Sequence, residues 1–187
     1  MRRISGRAKA EVEKSRAQLE IVSDKLSVIR KKYSQMLTDK IIEGLKDLNF
    51  LDVQFHIDFQ RKKEYTDNGF DDIEYEISTN PGESVKPLGR IVSGGELSRI
   101  MLAIKAILAD RDQIETLIFD EIDTGISGRT AQKVSEKMAV IGKCHQVLCI
   151  THLPQIAAMA DTHFEIENNR RVQKRSRRFI RWKEMIL

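Results

Sequence analysis

The chain has 187 residues, the size of one ordinary domain with an appendage; 41% are hydrophobic and 32% charged. Aromatics are only 6%, which argues against a base-stacking platform for single-stranded nucleic acid. The net charge of +4 is uneven: residues 1–48 hold 12 Lys/Arg and 7 Asp/Glu, residues 49–169 hold 12 and 20, and residues 170–187 hold 8 and 1. An acidic body thus lies between two basic ends, where a polyanion is attracted. No run approaches the roughly 18 apolar residues of a membrane span. No apolar segment follows Met1-Arg2-Arg3, so a secretory signal is not expected either. Cys144 and Cys149 match no metal spacing and are expected as reduced structural thiols, as in a cytosolic protein.

Residues 1–48 read as the base of a coiled-coil arm. Val12, Leu19, Val22, Leu26, Ile29, Tyr33 and Met36 follow the alternating three–four spacing of a narrow apolar seam. An amphipathic helix lying on a globular body is the alternative. After Met36 the seam breaks, and Ile41, Ile42, Leu45 and Leu48 continue on a shifted face. Val53, Phe55, Ile57 and Phe59 alternate with polar residues, as do Ile73, Tyr75 and Ile77. Two strands with one buried and one wet face are predicted, joined by a long polar loop over 60–70. Asn80-Pro81-Gly82 predicts a turn.

From residue 91 helices and short apolar strands alternate. Helices are predicted at 96–109, 128–141 and 154–160. Buried strands are predicted at 116–119 and 147–150, with a last strand at 164–166. That alternation is a parallel α/β sheet, whose function gathers at the carboxyl ends of its strands. Asp120-Glu121 and Thr151-His152 lie at those ends.

Four features there carry chemistry. Ser93 with Glu96 three residues on is a capping box. Capping does not need Gly94 and Gly95, and two such residues at a helix N-terminus suit a phosphate. Asp120 ends an apolar strand as a hard oxygen ligand for Mg²⁺, and Glu121 can polarise a water; a solvated strand end is the plain reading of the pair. Asp123-Thr124-Gly125 reads as a turn, with Ser127 capping the next helix. His152 is either a structural residue or a partner for a phosphate or attacking water.

This order of motifs is that of the C-terminal half of an ABC-type ATPase head. Ile91-Val92-Ser93-Gly94-Gly95-Glu96-Leu97-Ser98-Arg99, Phe119-Asp120-Glu121-Ile122-Asp123-Thr124-Gly125 and Ile150-Thr151-His152-Leu153-Pro154-Gln155 resemble the RecN family of bacterial DNA-repair proteins. These are relatives of the structural-maintenance-of-chromosomes (SMC) ATPases. The resemblance implies an α/β fold, half of a P-loop ATPase head with an antiparallel hairpin and a coiled-coil helix. It implies ATP and Mg²⁺ as cofactors, with Ser93, Gly94, Gly95 and Glu96 as a signature motif facing the nucleotide of an opposite head. Asp120 takes the metal position, Glu121 the catalytic base, Asp123 the loop that crosses the dimer interface, and His152 the switch histidine. It further implies DNA as partner, a homodimer with ATP sandwiched between heads, a role in double-strand-break repair and recombination, and a cytoplasmic, nucleoid-associated location.

Two departures stand out. No G-x-x-x-x-G-K-[ST] loop occurs; Gly89 and Gly94 have the glycine spacing, but Gly95-Glu96 replaces Lys-Ser/Thr. The chain is therefore expected to be the C-terminal part of a longer protein, partnered by an N-terminal lobe that carries the loop, and inactive alone. Residues 169–187 form a basic run unlike the family's acidic ending, expected as a solvated tail. The head lobe is accordingly placed at 49–168. A transporter-type nucleotide-binding lobe and a non-catalytic dimerisation or DNA-binding fragment are the two other readings.

Overall fold

The computed structural model describes residues 6–91, 93–111, 113–168 and 177–181, with 165–168 and 177–181 described as backbone alone. Contacts divide the chain into two compact units, one of Met1–Lys46 with Phe50–Ile91, the other of Asp47–Asn49 with Val92–Leu187.

The first unit is built on helix α1, Gly6–Asp47, 42 residues long. At 1.5 Å per residue it runs for about 63 Å. No proline interrupts it, and Glu, Lys, Arg, Gln and Ala favour the helix throughout. Except for Leu26, the predicted seam does not face the unit's body: Val12, Leu19, Val22, Ile29, Tyr33 and Met36 are 43–66% exposed. The stripe that packs shares only Leu26 with it. Ser23 and Ser27 are buried, and with Leu26 and Arg30 they line one face at helical spacing. The small serines let a β-hairpin tip approach closely. At the C-terminal end Ile41 and Leu45 are fully buried.

That hairpin pairs β1, Gln54–Thr66, with β2, Gly69–Ser78, antiparallel. The long polar loop expected over 60–70 is instead strand: the ladder reaches Thr66↔Gly69, leaving only Asp67-Asn68 between the strands. The polar residues are held by contacts that periodicity does not reveal. Arg61 lies over the Phe70 ring at 4.2 Å and pairs with Glu20 at 3.2 Å. Asp71 accepts from Ser27 at 2.7 Å and pairs with Arg30 at 2.9 Å, fixing the tip to α1. One-sided burial holds only at the hairpin base, where Phe55 and Ile77 are 1% exposed; Ile73 and Tyr75 are exposed. The Asn80–Glu83 turn forms as predicted, with Gly82 at φ +78°. β3, Lys86–Pro87, adds a short third strand.

The second unit places α2, Gly94–Leu108, and α3, Gly128–Ile141, against a two-stranded parallel sheet of β4, Thr116–Phe119, and β5, Gln146–Cys149. Ile100, Leu102, Ala103, Ile104, Phe119, Val134 and Ile141 are buried in its core. α4, Pro154–Ala157, starts on proline and ends sooner than expected; β6, Phe164–Asn168, pairs antiparallel with β7, Arg177–Arg181. The rest of the basic run lies outside the described residues. The two parallel strands, predicted to be buried, are covered on one face only: Phe119 is buried and Leu117, Val147 and Cys149 are half-buried, whereas Ile118, Leu148 and, just past β5, Ile150 are 67%, 44% and 58% exposed. Among the described residues, no helix is long and apolar enough to cross a membrane.

Candidate functional site

The site forms at the carboxyl end of the parallel sheet, and the chain's direction makes it. α2 runs down from Ser93 and β4 runs back up, so the start of one meets the end of the other. Ser93 caps α2, its Oγ accepting the Glu96 N–H at 3.4 Å. That is the hydroxyl half of the expected capping box. One turn on, Ser98 Oγ donates to the Asp120 carbonyl at 2.7 Å. Arg99, 8% exposed, donates from Nη1 to the carbonyls of Thr124 at 2.9 Å and Ile122 at 3.4 Å. Burial lowers the Arg99 pKa, with the nearby Glu96 charge opposing. Ser98 and Arg99 thus rivet the first turns of α2 to the loop that carries the acids. In the sequence both stand only as part of a motif; a Ser-Arg pair early in a mostly apolar helix is the available signal.

The loop itself is tightly wound. Asp120 Oδ1 accepts the Glu121 N–H at 2.9 Å. Glu121 sits at φ +57°, a left-handed backbone that costs a non-glycine residue about 1–2 kcal/mol. Thr124 N–H closes back onto the Glu121 carbonyl at 3.0 Å, and Ile122 is fully buried beneath. Ser127 takes the N-cap position of α3, but its side chain makes no capping bond; its carbonyl receives Thr130 N–H instead. The glycines of α2 meet this loop. A Cβ on Gly95 would stand 2.9 Å from the Glu121 carbonyl and 3.0 Å from the Thr124 Cβ, and one on Gly94 would overlap the Glu121 carboxylate.

Asp123 is buried at 4% exposure. Its Oδ2 accepts from Thr151 Oγ1 at 2.5 Å and from His152 N–H at 2.8 Å, and lies 3.1 Å from His152 Nδ1. Burial alone would raise its pKa, but the hydrogen bonds from Thr151 and His152 prevail and hold the carboxyl below its usual range. The same surroundings push the Cys149 thiol, in β5, up to about 11: burial first, then the charges of Asp123 and Asp120. Both cysteines are free. Thr151 was missed as a site residue; a hydroxyl directly before the strand-end histidine was its only trace.

The structure therefore brings all eight expected residues to one end of one unit. Ser93, Gly94, Asp120, Glu121 and His152 are exposed, Gly95 and Asp123 are buried, and Glu96 is half-buried. No group of three or more His, Cys, Asp or Glu side chains converges on a metal position among the described residues. Asp120 offers one hard carboxylate directly at the end of β4. That suits a magnesium ion held mainly by phosphate oxygens rather than a resident metal cage.

Solved structures place the fold. The Smc head domain with an extended coiled coil from Pyrococcus furiosus aligns at a TM-score of 0.55 and 20% identity, covering 96% of this chain and 45% of that one. The Smc head with coiled coil and joint from Pyrococcus yayanosii gives 0.55 and 19%, covering 93% and 33%. The fold is thus that of part of an Smc head domain. No protein-family model matches the chain. Among curated proteins, the DNA repair protein RecN of Halalkalibacterium halodurans is 50% identical over 159 residues, 83% of this chain and 28% of that protein. RecN of Bacillus subtilis is 44% identical over 156 residues, 75% and 27%. RecN of Treponema pallidum is 43% identical over 159 residues, 82% and 28%. Over most of its length the chain is a homologue of the RecN proteins, and it spans a little over a quarter of theirs.

Proposed function

We propose that this chain is the signature and acid-bearing lobe of a RecN-like ATPase acting on DNA in double-strand-break repair and recombination. The observation that carries this reading is the riveting of α2 to the Asp120–Asp123 loop. It sets the Ser93-Gly94-Gly95 turn, two exposed carboxylates and an exposed imidazole at the carboxyl end of the parallel sheet, and relatives named for DNA repair are 43–50% identical over most of this chain. The bare face of β4 and β5 supports the need for a second lobe. A two-stranded parallel sheet with one uncovered apolar face is not a finished sheet.

ATP with Mg²⁺ supplies the phosphoanhydride that is cleaved and the cation that offsets its charge. In this lobe Asp120 offers one carboxylate oxygen to the metal. Glu121 orients and deprotonates the attacking water, a role worth about 10²–10⁴ in rate. Ser93, Gly94 and Gly95 face the nucleotide of an opposite head, with backbone N–H groups at the positive end of α2. The Glu121 carboxylate leans on Gly94, so it swings aside before a phosphate approaches there. Two heads closing on two nucleotides make a homodimer, and hydrolysis opens it and changes its hold on DNA. The expected setting is a soluble cytoplasmic protein bound to the nucleoid.

The test is Glu121→Gln in a complete protein that contains this lobe. Trapped ATP-bound dimers on size exclusion, with hydrolysis down at least a hundredfold, are expected. Unchanged hydrolysis removes Glu121 from the role of base.

A further inference from the structure

Asp123 meets His152 at both its backbone and its ring through one oxygen. Asp123 Oδ2 takes the His152 backbone N–H at 2.8 Å and faces its ring Nδ1 at 3.1 Å. The Thr151 hydroxyl donates to that oxygen and itself accepts Leu153 N–H at 3.1 Å. One carboxylate oxygen therefore organises the backbone of 151–153, just ahead of α4, together with the histidine ring.

The chemistry of the contact fixes the ring. A carboxylate only accepts, and the hydrogen bonds from Thr151 and His152 keep Asp123 ionised at neutral pH. A nitrogen lone pair 3.1 Å from an ionised carboxylate oxygen is repelled by it and an N–H there is attracted, so charge favours the hydrogen on Nδ1. A neutral imidazole has one such hydrogen, so Nε2 is left as the acceptor. The ring is 76% exposed on its side chain, while the carboxylate holding it is 5% exposed. The buried group is thus the orienter and the exposed group the one that meets a ligand. In hydrolases a buried acid beside Nδ1 likewise favours the tautomer whose Nε2 accepts a proton.

We propose that Asp123 is the positioning residue of His152, selecting the Nδ1–H form so that Nε2 meets the ligand as an acceptor from a water or hydroxyl. It donates to a phosphate oxygen only as the imidazolium. This places Asp123 inside its own lobe's machinery, rather than as a group reaching across a dimer. What Nε2 meets rests on the ATPase reading; the positioning does not.

The test uses the 187-residue chain labelled with ¹⁵N, and long-range ¹H–¹⁵N correlation of the histidine rings at a pH where they are neutral. His152→Gln assigns the signals. Nδ1–H with a bare Nε2 is expected in the native chain, retained in Thr151→Val and shifted toward Nε2–H in Asp123→Ala. An Nε2–H form in the native chain overturns the proposal. So does an unchanged tautomer in a folded Asp123→Ala, and if that variant does not fold, the native tautomer alone decides. In a complete head, the native His152 signals are expected to move on addition of Mg-ATP. Failure there counts against the ATPase reading and leaves the Asp123–His152 pair standing.

Discussion

Gly94 and Glu121 compete for one volume: a Cβ on the glycine would overlap the glutamate carboxylate. Its neighbour Gly95 competes with the backbone, 2.9 Å from the Glu121 carbonyl. Both glycines thus have a packing reason within their own chain, beside any phosphate they receive. The two contacts differ in kind. A carboxylate at the end of a flexible side chain moves cheaply, whereas a carbonyl in a hydrogen-bonded turn does not.

Gly94→Ala and Gly95→Ala are therefore expected to differ in cost. Gly94 is the first residue of α2, where alanine gains little of its roughly 1 kcal/mol interior advantage, so Gly94→Ala leaves stability about level while Glu121 moves aside. Gly95→Ala pushes the Glu121–Thr124 turn and costs about 1–3 kcal/mol. Urea unfolding of the two variants checks this. Equal losses would show that the turn yields as easily as the side chain.

Asp123→Ala leaves the donors of Thr151 and His152 without their common acceptor. A loss of about 2–3 kcal/mol is expected, since hydrogen bonds to charged groups contribute on that order.

Asp71 makes a parallel case in the other unit. Burial opposes its ionisation, but Arg30 and Ser27 outweigh it and hold its pKa down. Both carboxyls have folded pKa values below their unfolded ones, near about 3.9. Their stabilisation is therefore present above that pH and lost as pH falls through the lower folded values. Acid unfolding below about pH 4 is expected. Asp71→Asn should flatten it and raise amide exchange at the hairpin tip, Gly69–Asp71. Unchanged exchange there would show that the tip is held by Phe70 and Leu26 alone.

Cys149 reports on the same charges. With its thiol pushed up to about 11, thiol labelling of a Cys144→Ser chain should be slow at neutral pH and rise about tenfold per pH unit until it levels near that value. Fast labelling at pH 7 would contradict the burial and charge that raise it.

Much of this was legible in the sequence. α3 and β4 fall on the residues where periodicity put them, because each buries one apolar face in its own unit. The hairpin did not read as long, since Arg61 and Phe70 gain order from each other and from Glu20, a contact 41 positions away in sequence for the ion pair. The buried stripe of α1 was invisible for the opposite reason: Ser23 and Ser27 are small and polar, and are buried because Asp71 and Gly69 come to them. At the site, Ser93, Asp120, Glu121 and His152 stood out by residue type and order. Thr151, Ser98 and Arg99 did not, because their work is to bond backbone and carboxylate across the fold.

In the proposed function this lobe holds the acids and signature turn of an ATPase but needs a P-loop lobe to work. The most direct measurement is ATP hydrolysis by the purified chain, alone and after co-folding with the P-loop lobe of a RecN relative. Negligible turnover alone is expected, with hydrolysis restored by the added lobe and lost again in Glu121→Gln. Turnover by the chain alone comparable to a complete head would contradict it.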